Sequence, residues 1–151
     1  MASPSTNHLK SQLAAGVSTF RAIVTVPSLA VVQTLASAGV DWLILDLEHA
    51  AVGPDVLHGM IAATAGTCTT PHVRLPWSSP WQAKLPLDLG AMGIVFPMIG
   101  SRRDAENAVH AVKYPPEGGR LWGPFYAPMR WGMAMPDYMA AANANVLAIA
   151  T

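Results

Sequence analysis

Within the stretch Leu45-Asp46-Leu47-Glu48-His49, two carboxylates and an imidazole fall within four residues. A lone guanidinium, Arg74, follows inside the apolar run Val73-Arg74-Leu75, and a further carboxylate, Asp88, stands just before Gly90. These side-chain types suit proton transfer next to a bound anion. An imidazole titrates near neutrality and can carry a proton in either direction. A carboxylate beside the ring would set its tautomer and raise its basicity. A guanidinium can hold a substrate carboxylate by two parallel hydrogen bonds, or steady negative charge that develops on oxygen.

Simpler roles exist for the same residues. An acidic pair ahead of a helix can cap it, and a single arginine in an apolar run can be a buried ion-pair partner. For one histidine or one arginine alone, that structural role is the default. Asp-x-Glu-His closing one apolar run and Arg closing the next favours a site, because a parallel α/β sheet gathers the C-terminal ends of its strands. The other histidines do not reach this standard. His8 and His110 fall on presumed exposed helix faces, His58 is mid-helix, and His72 opens its strand at the end away from a site. Cys68 has no evident partner and reads as an ordinary thiol. Trp77, Trp81, Trp122 and Trp131 could line a pocket or pack in a core or subunit interface.

The elements that must position these groups alternate along the chain. Ser5 to Ala15 has helical apolar spacing and stops at Gly16. Phe20 to Val26 reads as a strand, and Pro27-Ser28 opens a helix that runs to Ala38, before Gly39. Trp42 to Leu47 is a nearly continuous apolar run, as in a strand buried on both faces. Pro54 to Ala65 is helical, with Pro54 in the first turn. The unit repeats as strand His72 to Leu75, helix Pro80 to Leu89, strand Gly93 to Met98 and helix Asp104 to Val112. An irregular stretch from Tyr114 to about Met135 follows, then helix Pro136 to Ala142 and strand Val146 to Ala150. This alternation predicts a parallel sheet with helical crossovers. No Gly-x-Gly-x-x-Gly or Walker-type loop follows a strand, so a (β/α)₈ barrel is the better expectation. Such a barrel takes about 250 residues, so the 151 residues are expected to form its N-terminal part, a single partial-barrel domain over 1–151 with about five strands.

Composition narrows the function classes. Apolar residues make up 52% and charged residues 12%, with zero formal net charge. No basic face points to nucleic acid or an anionic membrane, and no apolar run is long enough to span a bilayer. So little charge implies a surface that is partly covered by other protein. The polar start, Met1 to His8, lacks a secretory layout, and one cysteine suits a reducing compartment. A cytoplasmic protein is the expectation.

Several blocks together resemble the HpcH/HpaI aldolase/citrate lyase family. The first runs from Gly39 to Ala50 through Asp41-Trp42-Leu43-Ile44-Leu45-Asp46-Leu47-Glu48-His49. The others are Val73-Arg74-Leu75-Pro76-Trp77, Leu87-Asp88-Leu89-Gly90-Ala91, Gly93-Ile94-Val95-Phe96-Pro97-Met98, and Lys113-Tyr114-Pro115-Pro116-Glu117-Gly118-Gly119-Arg120. The resemblance covers the chain from about Leu9 onward. It implies a (β/α)₈ barrel that cleaves 4-hydroxy-2-oxo acids to pyruvate and an aldehyde. It also implies a divalent cation, Mg²⁺, Mn²⁺ or Co²⁺, that stabilises the enolate, and a homo-oligomer, since some relatives are hexamers. By position, His49 is similar to the family's acid/base, Asp88 to the carboxylate that raises its basicity, and Arg74 to the residue that steadies the transition state. Asp46 and Glu48 would lie near metal-bound water and substrate, with Asp46 also able to act across a subunit boundary.

The sequence departs from the family in two places. Thr151 falls where relatives carry a substrate-binding Gln, and the metal-binding carboxylates would follow it. Arg120-Leu121-Trp122-Gly123 stands where relatives usually carry Arg-Gly-x-Gly. Without carboxylate ligands a hard divalent cation has no evident hold, so the 151-residue chain alone is expected to be a poor catalyst or none. A different class of reading is an inactive partial barrel that acts as an interaction subunit, or a non-functional fragment.

Overall fold

Trp42 to Asp46 shows why the chain builds a central sheet. Leu43 and Leu45 are wholly buried on one face, and Ile44 and Asp46 are buried on the other, so this strand needs a neighbour on each side and cover above and below. In the computed structural model, which describes residues 7–151, it is β2 of a five-stranded parallel sheet ordered β1-β2-β3-β4-β5. The others are β1 (Arg21–Val24), β3 (Thr70–Arg74), β4 (Gly93–Phe96) and β5 (Leu147–Ala150). Sequential order with every pair parallel is the start of a barrel rather than a doubly wound sheet, in which the order reverses at a switch point.

The crossovers are α2 (Leu29–Ser37), α3 (Pro54–Ala62), α4 (Pro80–Asp88) and α5 (Arg102–Val112), preceded by α1 (His8–Ala14). Their ends follow local chemistry. The Ser28 hydroxyl accepts from the Val31 amide and the Ser101 hydroxyl from the Asp104 amide, while Pro54 and Pro80 occupy first-turn positions where no N–H is needed. Val32, Leu57, Met60, Ile61, Leu87 and Val112 pack onto Leu43, Leu45, Val73, Ile94 and Phe96 to form the core. Fully burying each such side chain contributes about 1.5–3 kcal/mol.

Boundaries differ from expectation in informative ways. The third strand begins at Thr70, ahead of Pro71. Pro71 is tolerated because its carbonyl accepts from Met92, just before β4 begins, and its absent N–H costs no ladder bond. His72 therefore lies mid-strand and wholly buried, and does not open the strand. A one-turn helix, α6 (Ala127–Arg130), interrupts the stretch expected to be irregular, and the next helix, α7 (Met135–Asn145), is longer than predicted. Expected helix residues Ser5 and Thr6 lie outside the described residues, as does the start of the polar leader reading. Asn7 caps α1 and ties it to the lower rim, with its side chain donating to the carbonyls of Met92 and Asn145. Among the described residues no helix is long and apolar enough to cross a membrane.

Candidate active site

Register brings the first candidates together. Asp46 pairs with Arg74 across β2 and β3, and both close their strands, so a residue at the mouth of each strand projects to the same side. Arg74 Nε donates to Asp46 Oδ1 at 2.9 Å and Nη2 to Oδ2 at 2.8 Å, a bidentate ion pair. Asp46 Oδ1 also accepts from the backbone amides of Glu48 and His49 at 2.9 and 3.4 Å, which folds the chain back just beyond the strand. Burial pushes the Asp46 carboxyl up, but the bonds from Arg74 and the two amides outweigh it and hold the group below the ordinary carboxylate value. The same contact raises Arg74. Glu48 completes the cluster with Oε2 3.3 Å from Arg74 Nε and 3.7 Å from His49 Nε2. The His49 side chain is 68% exposed, whereas that of Glu48 is 20% exposed, so the imidazole stands at the solvent side of an ordered anion–cation pair.

The arrangement suits proton transfer beside a cation. Arg74 Nη1 has no protein partner among the described residues, which leaves donors for a ligand oxygen. Thr151 reaches the same edge of the sheet, and its amide and hydroxyl both bond to the Phe96 carbonyl. Asp46 is saturated by four hydrogen bonds, and among the described residues no group of three His, Cys, Asp or Glu could hold a metal ion. These residues do not fit a divalent cation by themselves. An apolar groove of about 260 Å³ between α3 and α4, lined by Leu47, Val52, Leu57, Leu75 and Trp81, lies beside the mouth but includes neither His49 nor Arg74.

Asp88 stands apart from this cluster. It does not come within ion-pair distance of His49 in this chain. Crossover helices run antiparallel to the strands, so the last residue of α4 sits at the opposite edge of the sheet from His49. There Lys84 Nζ donates to Asp88 Oδ2 at 2.9 Å and Arg120 Nη2 to Oδ1 at 3.1 Å. Arg120 is buried, also donates to the Tyr138 hydroxyl, and stacks 4.4 Å from the Tyr114 ring. Burial raises both tyrosines above their ordinary value. A Cβ on Gly123 would stand 3.2 Å from Asp88 Oδ2, so the loop backbone runs close over the carboxylate. Sequence reading missed the clamp of Lys84, Arg120 and Tyr138. The i,i+4 spacing of Lys84 and Asp88 was a legible signal, whereas the other two arrive from distant segments.

The remaining candidates sort by burial. Trp131 is core, its indole donating to the Gly90 carbonyl, while Trp77, Trp81 and Trp122 are exposed. Cys68 is an exposed free thiol.

A sequential parallel sheet with its carboxylate, guanidinium and imidazole at the strand carboxyl ends defines part of a (β/α)-barrel enzyme fold. The HpcH/HpaI aldolase/citrate lyase family matches residues 19–151, and the chain belongs to that family. It is 40% identical over 111 residues to a hydroxypyruvate/pyruvate aldolase of Roseovarius nubinhibens, covering 74% of this chain and 43% of that protein. It is also 40% identical over 112 residues to a 4-hydroxy-2-oxo-heptane-1,7-dioate aldolase of Salmonella paratyphi B, covering 74% and 42%. The crystal structure of a family protein from Burkholderia cenocepacia J2315 superposes with a TM-score of 0.85 at 32% identity, over 96% of this chain and 59% of that one. The chain thus spans less than half the length of these curated relatives.

Proposed function

We propose that this chain carries the proton-transfer half of a carbon–carbon lyase site that cleaves 4-hydroxy-2-oxo acids to pyruvate and an aldehyde. The observation that carries the reading is the bidentate Asp46–Arg74 pair with His49 exposed beside it at the strand mouths. In this reading Arg74 offers its free donors to the keto-acid oxygen where negative charge grows. Asp46 keeps the guanidinium in plane, and His49 removes or returns the proton, with Glu48 Oε2 3.7 Å from its Nε2. Thr151 adds a polar group at the same rim.

The proposal includes a divalent cation, but no step here runs through it, because the donor set at this mouth does not suit one. It also includes a homo-oligomer in a cytoplasmic setting. Asp88 lies on the far edge of the sheet, so it would serve His49 only from a second copy. The aldolase names of the relatives support the chemical class, and the unmatched length of those relatives leaves the aldehyde open.

Deuterium exchange into the pyruvate methyl group, followed by NMR with added Mg²⁺ or Mn²⁺, tests the reading. Weak exchange that vanishes in His49→Ala is the expected result. No exchange from a sample shown to be folded by circular dichroism would overturn it for this chain and leave the interaction-subunit alternative.

A further inference from the structure

On the outer layer, away from the strand mouths, a histidine and an arginine meet in a geometry that tolerates only one protonation state. Arg130 of α6 donates from Nη1 to the His58 carbonyl on α3 and from Nη2 to His58 Nε2, both at 3.0 Å. A guanidinium has no acceptor, so Nε2 must be the bare nitrogen of a neutral ring with its proton on Nδ1. The Tyr126 ring stands edge-on to the imidazole at 4.6 Å. The aliphatic stem of Arg130 lies across Gly90, where a Cβ would come within 2.9 Å of its Cδ. The next residue, Trp131, donates to the Gly90 carbonyl at 3.0 Å. One side chain therefore fastens the segment around α6 to both α3 and the turn before β4.

We propose that His58 and Arg130 form a proton-sensitive latch that holds residues 126–134 against the α3–α4 layer and opens when His58 is protonated. Protonation would replace a hydrogen bond at 3.0 Å by two facing cations, one of them partly stripped of water, since burial lowers the Arg130 guanidinium from its ordinary value. The groups around the ring offer little to offset this. Tyr126 meets the imidazole through its ring, edge-on. α2 has no titratable residue. Lys84 and Asp88 of α4 are bonded to each other. Asp55, one turn earlier on α3, is the remaining nearby charge on the same helix. The fastened segment leads directly from Arg120, which grips Asp88, to α7, which carries Tyr138. Opening the latch would loosen the chain on both sides of that clamp.

Amide hydrogen exchange on the 151-residue chain at pH 7.5 and 5.5, corrected for intrinsic rates, tests the latch. Peptides covering 126–134 should lose about tenfold in protection at pH 5.5 relative to peptides of β2 and β4, about one decade for one proton taken up over this range. His58→Gln keeps an acceptor that does not titrate and should abolish the pH response. Arg130→Met should leave the segment open at both pH values. His110, whose ring packs on Gly119, is the competing trigger, so His110→Gln should retain the wild-type response. A pH-independent wild type, an equal loss in His58→Gln, or a response abolished by His110→Gln would each overturn the latch.

Discussion

His72 carries a prediction with a defined sign and size. It sits mid-strand in β3, wholly buried, its Nδ1 donating to the Thr70 carbonyl at 3.2 Å and its Nε2 unpartnered among the described residues. Its ring packs against Gly93, where a Cβ would stand 2.4 Å from its Cδ2, and edge-on to Trp42. Burial depresses its pKa from 6.5 to about 4, with only the Thr70 bond opposing. A depressed histidine pKa means the unfolded chain binds more protons than the folded one between those values. Stability is full above pH 6.5 and falls as pH drops toward 4. Each pKa unit is about 1.4 kcal/mol, so the loss is about 2 kcal/mol at pH 5 and on the order of 3 kcal/mol at pH 4. Urea unfolding at pH 7.5 and 5.0, for wild type and His72→Leu, isolates this loss. Asp41 and Asp46 have depressed carboxyls, whose stabilisation is lost only as pH falls below the ordinary carboxylate value near 4, and both occur in either protein. The leucine variant should lose about 2 kcal/mol less between the two pH values. A stability difference between variant and wild type that does not change with pH would refute the reasoning.

Two packing contacts give further tests. Arg74→Met strips the buried Asp46 carboxylate of its two strongest donors and should cost about 2–3 kcal/mol in urea unfolding; adding Asp46→Leu should recover most of that loss, and no recovery would mean the pair is not the cause. Gly93→Ala forces a methyl group onto the His72 ring and to 2.9 Å from the Leu147 carbonyl. It should destabilise by about 2–3 kcal/mol with partial rescue by His72→Ala, and a neutral Gly93→Ala would show that β4 and β5 can shift apart.

Much of the scaffold was legible from the residues alone. The apolar run Trp42–Leu47, buried on both faces, announced a central parallel strand, and Asp46, Glu48, His49 and Arg74 at consecutive strand ends announced a mouth. Both readings rest on local periodicity, which a linear sequence carries directly. The register that sets Asp46 opposite Arg74, rather than one residue away on the other face, is decided by packing against the helices. The same is true of the fully buried His72, since burial of a mid-strand residue depends on which neighbours close over it. Asp88 shows the limit most clearly. Within one chain the antiparallel run of α4 carries it to the sheet edge away from His49, against Lys84 and Arg120, the latter also bonded to Tyr138. Those contacts join residues up to 32 positions apart, and only the closed layers of the tertiary structure bring such residues within hydrogen-bond reach.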